Sequence, residues 1–403
     1  PGDSLTESDL LAINAYGQSE DLSLVGGLQY AYEISDAWML TAGGEYQYND
    51  VLDEMPGYGR QIDQQVSTLG TYAQLEWKPA EDWSFLLGGR YDRVSIDGLY
   101  ELAVERFDNK QTLNIFVPRA TAMYFFTPDL KMRLSYAQGY RAPQAFDEDL
   151  HIETVGGAAL FTRLDPQLQA ERSNSYSASL DYTFRENDFE SNIVLDGFYT
   201  QLNNPFITAN QQELPSGVAV ITKRNGSGAT VAGANLEANF AFSRKLMLQL
   251  GGTLQIAQYD EPEEIWAPES VTDANQDSVI TAEQLLRTPN AYGFFTANWS
   301  PASPFRLSVS GILTGPMQVP HVIDPDTEFT ILERTPSFFE LNTKAAYELP
   351  LGEGFRMELS AGVQNILNSF QQDFDTGAER DAGYVYGPVR PRTVFVGVKV
   401  GME

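Results

Sequence analysis

Residues 175–184 alternate without a break. Tyr176, Ala178, Leu180, Tyr182 and Phe184 fall on one face of an extended strand, and Ser175, Ser177, Ser179, Asp181 and Thr183 fall on the other. Side chains of a strand point to opposite faces with a period of two. One face is therefore apolar and aromatic, the other small and polar. The pattern recurs in about fifteen segments. A fold made of such strands needs an apolar surrounding on one side and water on the other. With tight turns at one end and long loops at the other, the pattern predicts an all-β transmembrane antiparallel β-barrel.

The segments fall in pairs: 22–34 with 38–48, 66–78 with 83–96, 112–126 with 131–140, 173–184 with 189–199, 218–242 with 245–257, 291–299 with 305–313 and 338–349 with 355–366, then a last strand over 392–401. The short connections carry the Pro, Asp, Asn, Ser and Gly that tight reversals require. Longer connections are expected over 50–64, 97–110, 141–170, 203–216, 258–290, 315–335 and 368–390. Trp38, Trp77, Trp83 and Trp299 lie beside proposed short turns, as do Phe126, Phe184, Phe189 and Phe242. Amphipathic aromatics at one level are what a membrane–water interface selects.

Bulk composition agrees. Hydrophobic content of 42% resembles that of a soluble protein, but half of every barrel strand faces a wet lumen. No run of about 18 apolar residues occurs, so the chain has no candidate transmembrane helix. Cysteine is absent, which removes disulfides, thiolate metal sites and cysteine nucleophiles. The net charge of -29 repels phosphate backbones and argues against nucleic acid as a partner. The chain opens Pro1-Gly2-Asp3 with no signal peptide. An outer-membrane protein requires one, so the sequence reads as part of a longer precursor. An odd strand count leaves an edge unpaired in lipid, which places further strands before Pro1.

Several motifs resemble the TonB-dependent outer-membrane receptor family. Leu134-Ser-Tyr-Ala-Gln-Gly-Tyr-Arg-Ala-Pro143 is followed by Leu164-Asp-Pro-Gln-Leu-Gln-Ala-Glu-Arg-Ser173, with Asp165 where the family usually carries Asn. Val363-Gln-Asn-Ile-Leu-Asn368, Tyr386-Gly-Pro-Val-Arg-Pro-Arg-Thr393, Phe116-Val-Pro-Arg119 and Gly233-Ala-Asn-Leu-Glu237 are further matches. The chain departs from many such barrels in ending Gly401-Met402-Glu403 rather than on an aromatic residue. The resemblance implies a barrel of about 22 strands. Residues 1–403 would be its C-terminal portion, with the N-terminal plug, the TonB box and the first strands lying elsewhere. It also implies active uptake of a scarce ligand across the outer membrane, an iron–siderophore chelate first, with cobalamin, copper or a glycan next. The partners implied are outer-membrane lipid and lipopolysaccharide, a small metal chelate, and the TonB complex reached through the missing N-terminal region. The competing reading is a passive porin or ligand-capture barrel without a plug. Arg141, Pro143 and Glu171 are expected to mark the rim where strands leave the membrane.

Candidate chemistry lies in the long loops. Asp273, Asn275 and Asp277 have the alternating oxygen ligands that open a calcium loop. Position six of that loop is Ser278 and position twelve is Gln284, with Glu283 one place early. A calcium ion in the 273–284 loop is thus one expectation, and no cofactor is required. His151 and His321 are the two histidines, both in long loops. No Gly-x-Ser-x-Gly or other nucleophile motif accompanies them, so the chain does not read as an enzyme. Loop aromatics and charges suit a bulky, partly apolar ligand. The expected binding set is Tyr58, Arg60, Phe146, His151, Trp266, His321 and Tyr384.

Overall fold

The computed structural model describes residues 16–102, 105–144, 153–155, 158–213, 219–268, 278–324, 329–352, 354–377, 380–381 and 383–402. Its first half holds β1 (Gln18–Ser35), β2 (Trp38–Met55), β3 (Arg60–Ala80), β4 (Trp83–Leu102), β5 (Glu105–Thr127), β6 (Leu130–Arg141), β7 (Glu153–Val155), β8 (Ala158–Leu164), β9 (Glu171–Glu186), β10 (Phe189–Asn203) and β11 (Phe206–Glu213). The second half holds β12 (Ala219–Asn225), β13 (Ala229–Phe242), β14 (Leu246–Trp266), β15 (Ile280–Gln284), β16 (Ala291–Trp299), β17 (Phe305–Thr314), β18 (Gln318–Asp324), β19 (Phe329–Arg334), β20 (Phe338–Gly352), β21 (Phe355–Gln364) and β22 (Thr393–Met402).

Fifteen of these strands form one antiparallel wall in the order β1-β2-β3-β4-β5-β6-β9-β10-β13-β14-β16-β17-β20-β21-β22, with β15 attached to β14. The strand count expected from alternation is the one observed. Among the described residues, β1 pairs only with β2 and β22 only with β21.

The wall is inside out relative to a soluble protein. One ladder row reads Leu40, Leu75, Leu87, Ala120, Tyr136, Tyr176 and Tyr199 across seven successive strands. Shifted by one residue, the opposite face of the same strands carries Thr41, Gln74, Gly88, Arg119, Ala137, Ser175 and Thr200. On β9 the apolar Leu180 and Tyr182 are each 42% exposed, while Ser179 and Asp181 are half-buried. Large apolar side chains turned outward over a whole sheet require a hydrocarbon solvent. The polar face is laced instead by hydrogen bonds, such as Ser175 with Thr200 at 3.0 Å and the Lys131–Asp181 ion pair at 3.0 Å.

The short turns share one end. In six successive cases a turn or turn-flanking carbonyl accepts a hydrogen bond from the next hairpin: Ala37 from Lys78, Asp82 from Phe125, Asp129 from Thr183, Asp188 from Ser243, Lys245 from Ser300 and Pro304 from Glu348. Asn187 makes its reversal in the left-handed region (φ 53°), which Asn tolerates at little cost. At this end the aromatics stack into two belts. Trp38, Trp77, Phe85, Trp83, Tyr124 and Phe126 run across β2–β5 with centroids 4.6–5.4 Å apart. Phe184, Phe189, Phe242 and Phe240 run across β9, β10 and β13.

The other end departs from the expected loops. Residues 50–55 with 60–64, and 97–102 with 105–110, continue as paired strand: β2–β3 pair from Trp38↔Trp77 to Met55↔Arg60, and β4–β5 pair from Trp83↔Tyr124 to Leu102↔Glu105. At about 3.3 Å per residue the 23-residue β5 is about 75 Å long. The apolar band of such a barrel is only about 25 Å tall, so these hairpins stand well clear of it. The expected loops 141–170 and 203–216 supply β7, β8 and β11 to a four-stranded sheet, β11-β12-β8-β7, in which β8 and β12 are parallel. The expected strand 218–242 is two strands, β12 and β13. They are divided at Gly226-Ser227-Gly228, where Gly228 takes φ +129°. The expected loops 258–290 and 315–335 carry β15 and the β18–β19 hairpin. Polar hairpins can pair above a membrane because water, not lipid, takes their free backbone groups.

Candidate ligand-binding mouth

The long-loop end has its own packing. Ile62 on β3, Tyr100 on β4, Leu164 and Leu168 form a buried cluster, with Phe107 and Phe206 against it. The tall hairpins and the loop sheet are thereby fixed to one another. The family motif around Asp165 makes the joint. Its side chain accepts from the Gln167 N–H at 2.7 Å, its carbonyl accepts from Leu168, and its own N–H donates to Lys223 O. An Asp at this position closes the same side-chain turn that an Asn would. Glu171 pairs in register with Arg141 and accepts from the Phe206 N–H at 3.0 Å, and the Arg141 guanidinium sits 5.6 Å over the Phe206 ring. Arg141 and Glu171 thus hold the rim, as expected.

The second joint is the Asn-rich motif after β21. Asn365 is buried with φ 49°, accepts from the Ser369 N–H, and donates through its amide to Ser369 O and Arg390 O. Asn368 accepts from the Arg392 N–H, and Arg392 Nε donates to Ile366 O. Gln371, 1% exposed, donates to Tyr384 O and accepts from the N–H groups of Tyr386 and Gly387. These side chains hold the described residues between Asn365 and Arg392 together.

Two expected binding residues meet there. The His321 ring on β18 lies on the Tyr384 ring with centroids 3.6 Å apart and planes 11° apart. His321 Nδ1 is 2.8 Å from Glu333 Oε1 on β19, and Nε2 is 3.1 Å from Asp375 Oδ2. The Tyr384 hydroxyl donates to Glu333 Oε2 at 2.9 Å, and the Tyr386 hydroxyl donates to Asp373 at 2.6 Å. Asp381 accepts from the N–H groups of Val322 and Gly383. Burial pulls the imidazole pKa down, but the hydrogen bonds and charges of Glu333 and Asp375 outweigh it and hold it above the ordinary histidine value. Burial and then Glu333 push the Tyr384 phenol up; burial and Asp373 push Tyr386 up to about 12.

The other expected site residues are dispersed. Trp266 ends β14 and packs edge-on against Phe329 of β19 at 4.7 Å, next to the His321 hairpin. Tyr58 lies in the 3₁₀ turn Pro56–Tyr58 at the tip of the β2–β3 hairpin. Arg60 is built into that hairpin, 5% exposed and ion-paired with Asp53. Phe146, His151, Asp273, Asn275 and Asp277 lie outside the described residues. The C-terminal half of the 273–284 loop is β15, with Gln284 paired to Gln258. Among the described residues no three His, Cys, Asp or Glu side chains are grouped to hold a metal ion. Sequence reading missed Glu333, Asp373, Asp375 and Gln371. No spacing announces them, since their partners lie on other elements.

A single-layer wall with lipid-facing apolar rows, an aromatic belt at its turn end and a folded polar mouth defines an outer-membrane β-barrel. The chain belongs to the TonB-dependent receptor-like β-barrel family, whose model matches residues 2–366. The family is one of receptors and transporters. No curated protein sequence matches the chain. Among solved structures it is similar to the ferric-catecholate import receptor Fiu of E. coli K12, with 13% identity over 96% of this chain and 55% of that chain (TM-score 0.66). It is similar to the siderophore receptor PiuA of Acinetobacter baumannii, with 11% identity over 96% and 56% (TM-score 0.68). The copper transporter OprC is 12% identical over 95% and 57% (TM-score 0.67). At these identities the likeness is one of fold, and the chain spans little more than half the length of each.

Proposed function

We propose that residues 1–403 are the C-terminal portion of the barrel of an outer-membrane uptake receptor that captures a bulky metal chelate, an iron–siderophore first, and imports it with energy delivered through TonB. The observation carrying this reading is the family match over an outward-apolar wall. It is supported by the siderophore receptors among similar structures and by the aromatic and carboxylate-rich mouth around His321 and Tyr384. Binding at the mouth is chemistry-free; the chain does no covalent work.

The test uses the complete gene in its host. Deletion is expected to abolish uptake of one radio-iron-loaded siderophore and slow growth under iron limitation, with both restored by complementation. Uptake should stop when the proton-motive force is collapsed. Uptake that survives the collapse indicates a passive barrel, and unchanged uptake of every chelate tried removes the reading. In the same proposal the 273–284 loop takes calcium. Terbium luminescence from the folded protein should then vanish in Asp273→Ala/Asp277→Ala, and luminescence that persists excludes the site.

A further inference from the structure

The contact between the β18–β19 hairpin and the segment after Ser369 is made by the His321 ring, by the Tyr384 hydroxyl on Glu333 and by the Val322 N–H on Asp381, and the imidazole is the member that titrates near neutral pH. Carboxylates accept hydrogen bonds and do not donate them when ionised. Glu333 and Asp375 face the two opposite nitrogens of His321 at 2.8 and 3.1 Å. Neutral imidazole has one N–H and one lone pair, so it satisfies only one of them and turns the lone pair on the other. Imidazolium satisfies both. We propose that His321 is a proton-operated latch: the imidazolium fastens the β18–β19 hairpin to residues 369–388 at the mouth of the barrel, and loss of its proton releases the hairpin.

The surroundings give the latch its direction. From β19 the ring faces Glu333, and from the 369–388 segment it faces Asp375 and the Tyr384 phenol. Asp373 stands behind Tyr384 and Tyr386, and Asp381 holds the Val322 N–H. Two cations bear on this segment: Arg380, within it, donates to Gly377 O, and the Arg287 guanidinium donates to the carbonyls of Gly383 and Val385 while its N–H donates to Gln318 O. Both guanidiniums bond backbone carbonyls, so the charge set between Glu333 and Asp375 is that of the imidazole, although the two carboxylates also accept from the Tyr384 hydroxyl and the Asp381 N–H. Deprotonation therefore removes the positive charge lying between Glu333 and Asp375, and the two elements repel. The contacts raise the folded pKa of His321. The tie is accordingly complete below the ordinary histidine range and is lost as pH rises through the raised value. Nothing in this device depends on the transport reading.

The test is a distance measurement on the complete protein in lipid vesicles. Nitroxides replace Ile323 on β18 and Val389 after the segment, 48% and 58% exposed. Electron–electron resonance is recorded from about pH 5.5 to about pH 9, which brackets the histidine range. In parallel, ¹⁵N-imidazole spectra are taken, with the His321 resonance assigned as the one lost in His321→Gln. One short distance is expected while the ring carries both protons, with a longer population growing as it titrates. His321→Gln, checked for the heat-modifiable mobility of a folded barrel, should show the pH-independent, longer distribution. A distance that stays fixed while the ring titrates overturns the latch. So does a ring whose charge does not change over this range, or the same pH response in His321→Gln.

Discussion

Leu180 and Leu195 stand directly opposite each other across the β9–β10 ladder, both on the outward face, 42% and 49% exposed. Their chain neighbours Ser179 and Asp196 form the adjacent pair on the inner face. Leu195→Arg puts a charge into lipid and is expected to cost about 2–4 kcal/mol in urea unfolding from vesicles. Asp196→Asn faces the lumen and should stay within about 0.5 kcal/mol. A spin label at Leu180 should be accessible to oxygen, and one at Ser179 to a water-soluble nickel chelate. The opposite assignment would falsify the membrane wall.

The tryptophans divide by level. Trp38, Trp77 and Trp83 belong to the aromatic belt, and Trp299 sits on β16 beside a short turn, whereas Trp266 ends β14 on the mouth side. Brominated lipid should quench single-Trp variants retaining any of the first four. Iodide should quench the variant retaining Trp266 more strongly than any of them. Uniform quenching by either agent contradicts the arrangement.

Asp53 and Arg60 are buried together near the tip of the β2–β3 hairpin. Arg60→Ala leaves a buried carboxylate unpaired, worth about 3–5 kcal/mol to the surrounding structure. Because the pair lies above the wall, the loss should appear as local opening: faster protease cleavage near residues 53–60 with unchanged barrel mobility on gels. The double Asp53→Ala/Arg60→Ala variant should be cleaved more slowly than the single one. Equal cleavage of wild type and Arg60→Ala refutes this.

Gly70 on β3 is required by close approach. A Cβ there lands on the Arg90 guanidinium and the Asp92 carboxylate, which pair at 2.7 Å on the inner face, with Glu45 joining at 3.1 Å. Gly70→Val should displace Arg90 and cost about 1–3 kcal/mol by overpacking. Gly26, whose added Cβ meets nothing within 4 Å, provides the contrast. Gly26→Ala should leave unfolding unchanged, and similar losses in the two variants would count against the crowding.

The wall was legible because its constraint is local. Each strand must satisfy lipid on one side and water on the other, so Tyr176, Leu180 and Tyr182 declare their face without reference to any partner. The turn residues and the belt of Trp38, Trp77 and Trp83 follow from the same boundary. Above the membrane that boundary disappears. There, strand and loop are separated by pairing alone, which is why residues 50–64 read as a loop yet continue the β2–β3 ladder to Met55↔Arg60. The β8–β12 pairing joins segments more than fifty residues apart, and periodicity has no access to it. At the mouth, His321 and Tyr384 were visible as residue types in long connections. Glu333 and Asp375 became partners only where Asn365, Asn368 and Gln371 hold the described residues between Asn365 and Arg392 together.

The extended β2–β3 and β4–β5 ladders give the cell surface a pair of stiff masts where slack loops were expected. A large molecule arriving at that end would meet rigid paired backbone instead of pliable chain.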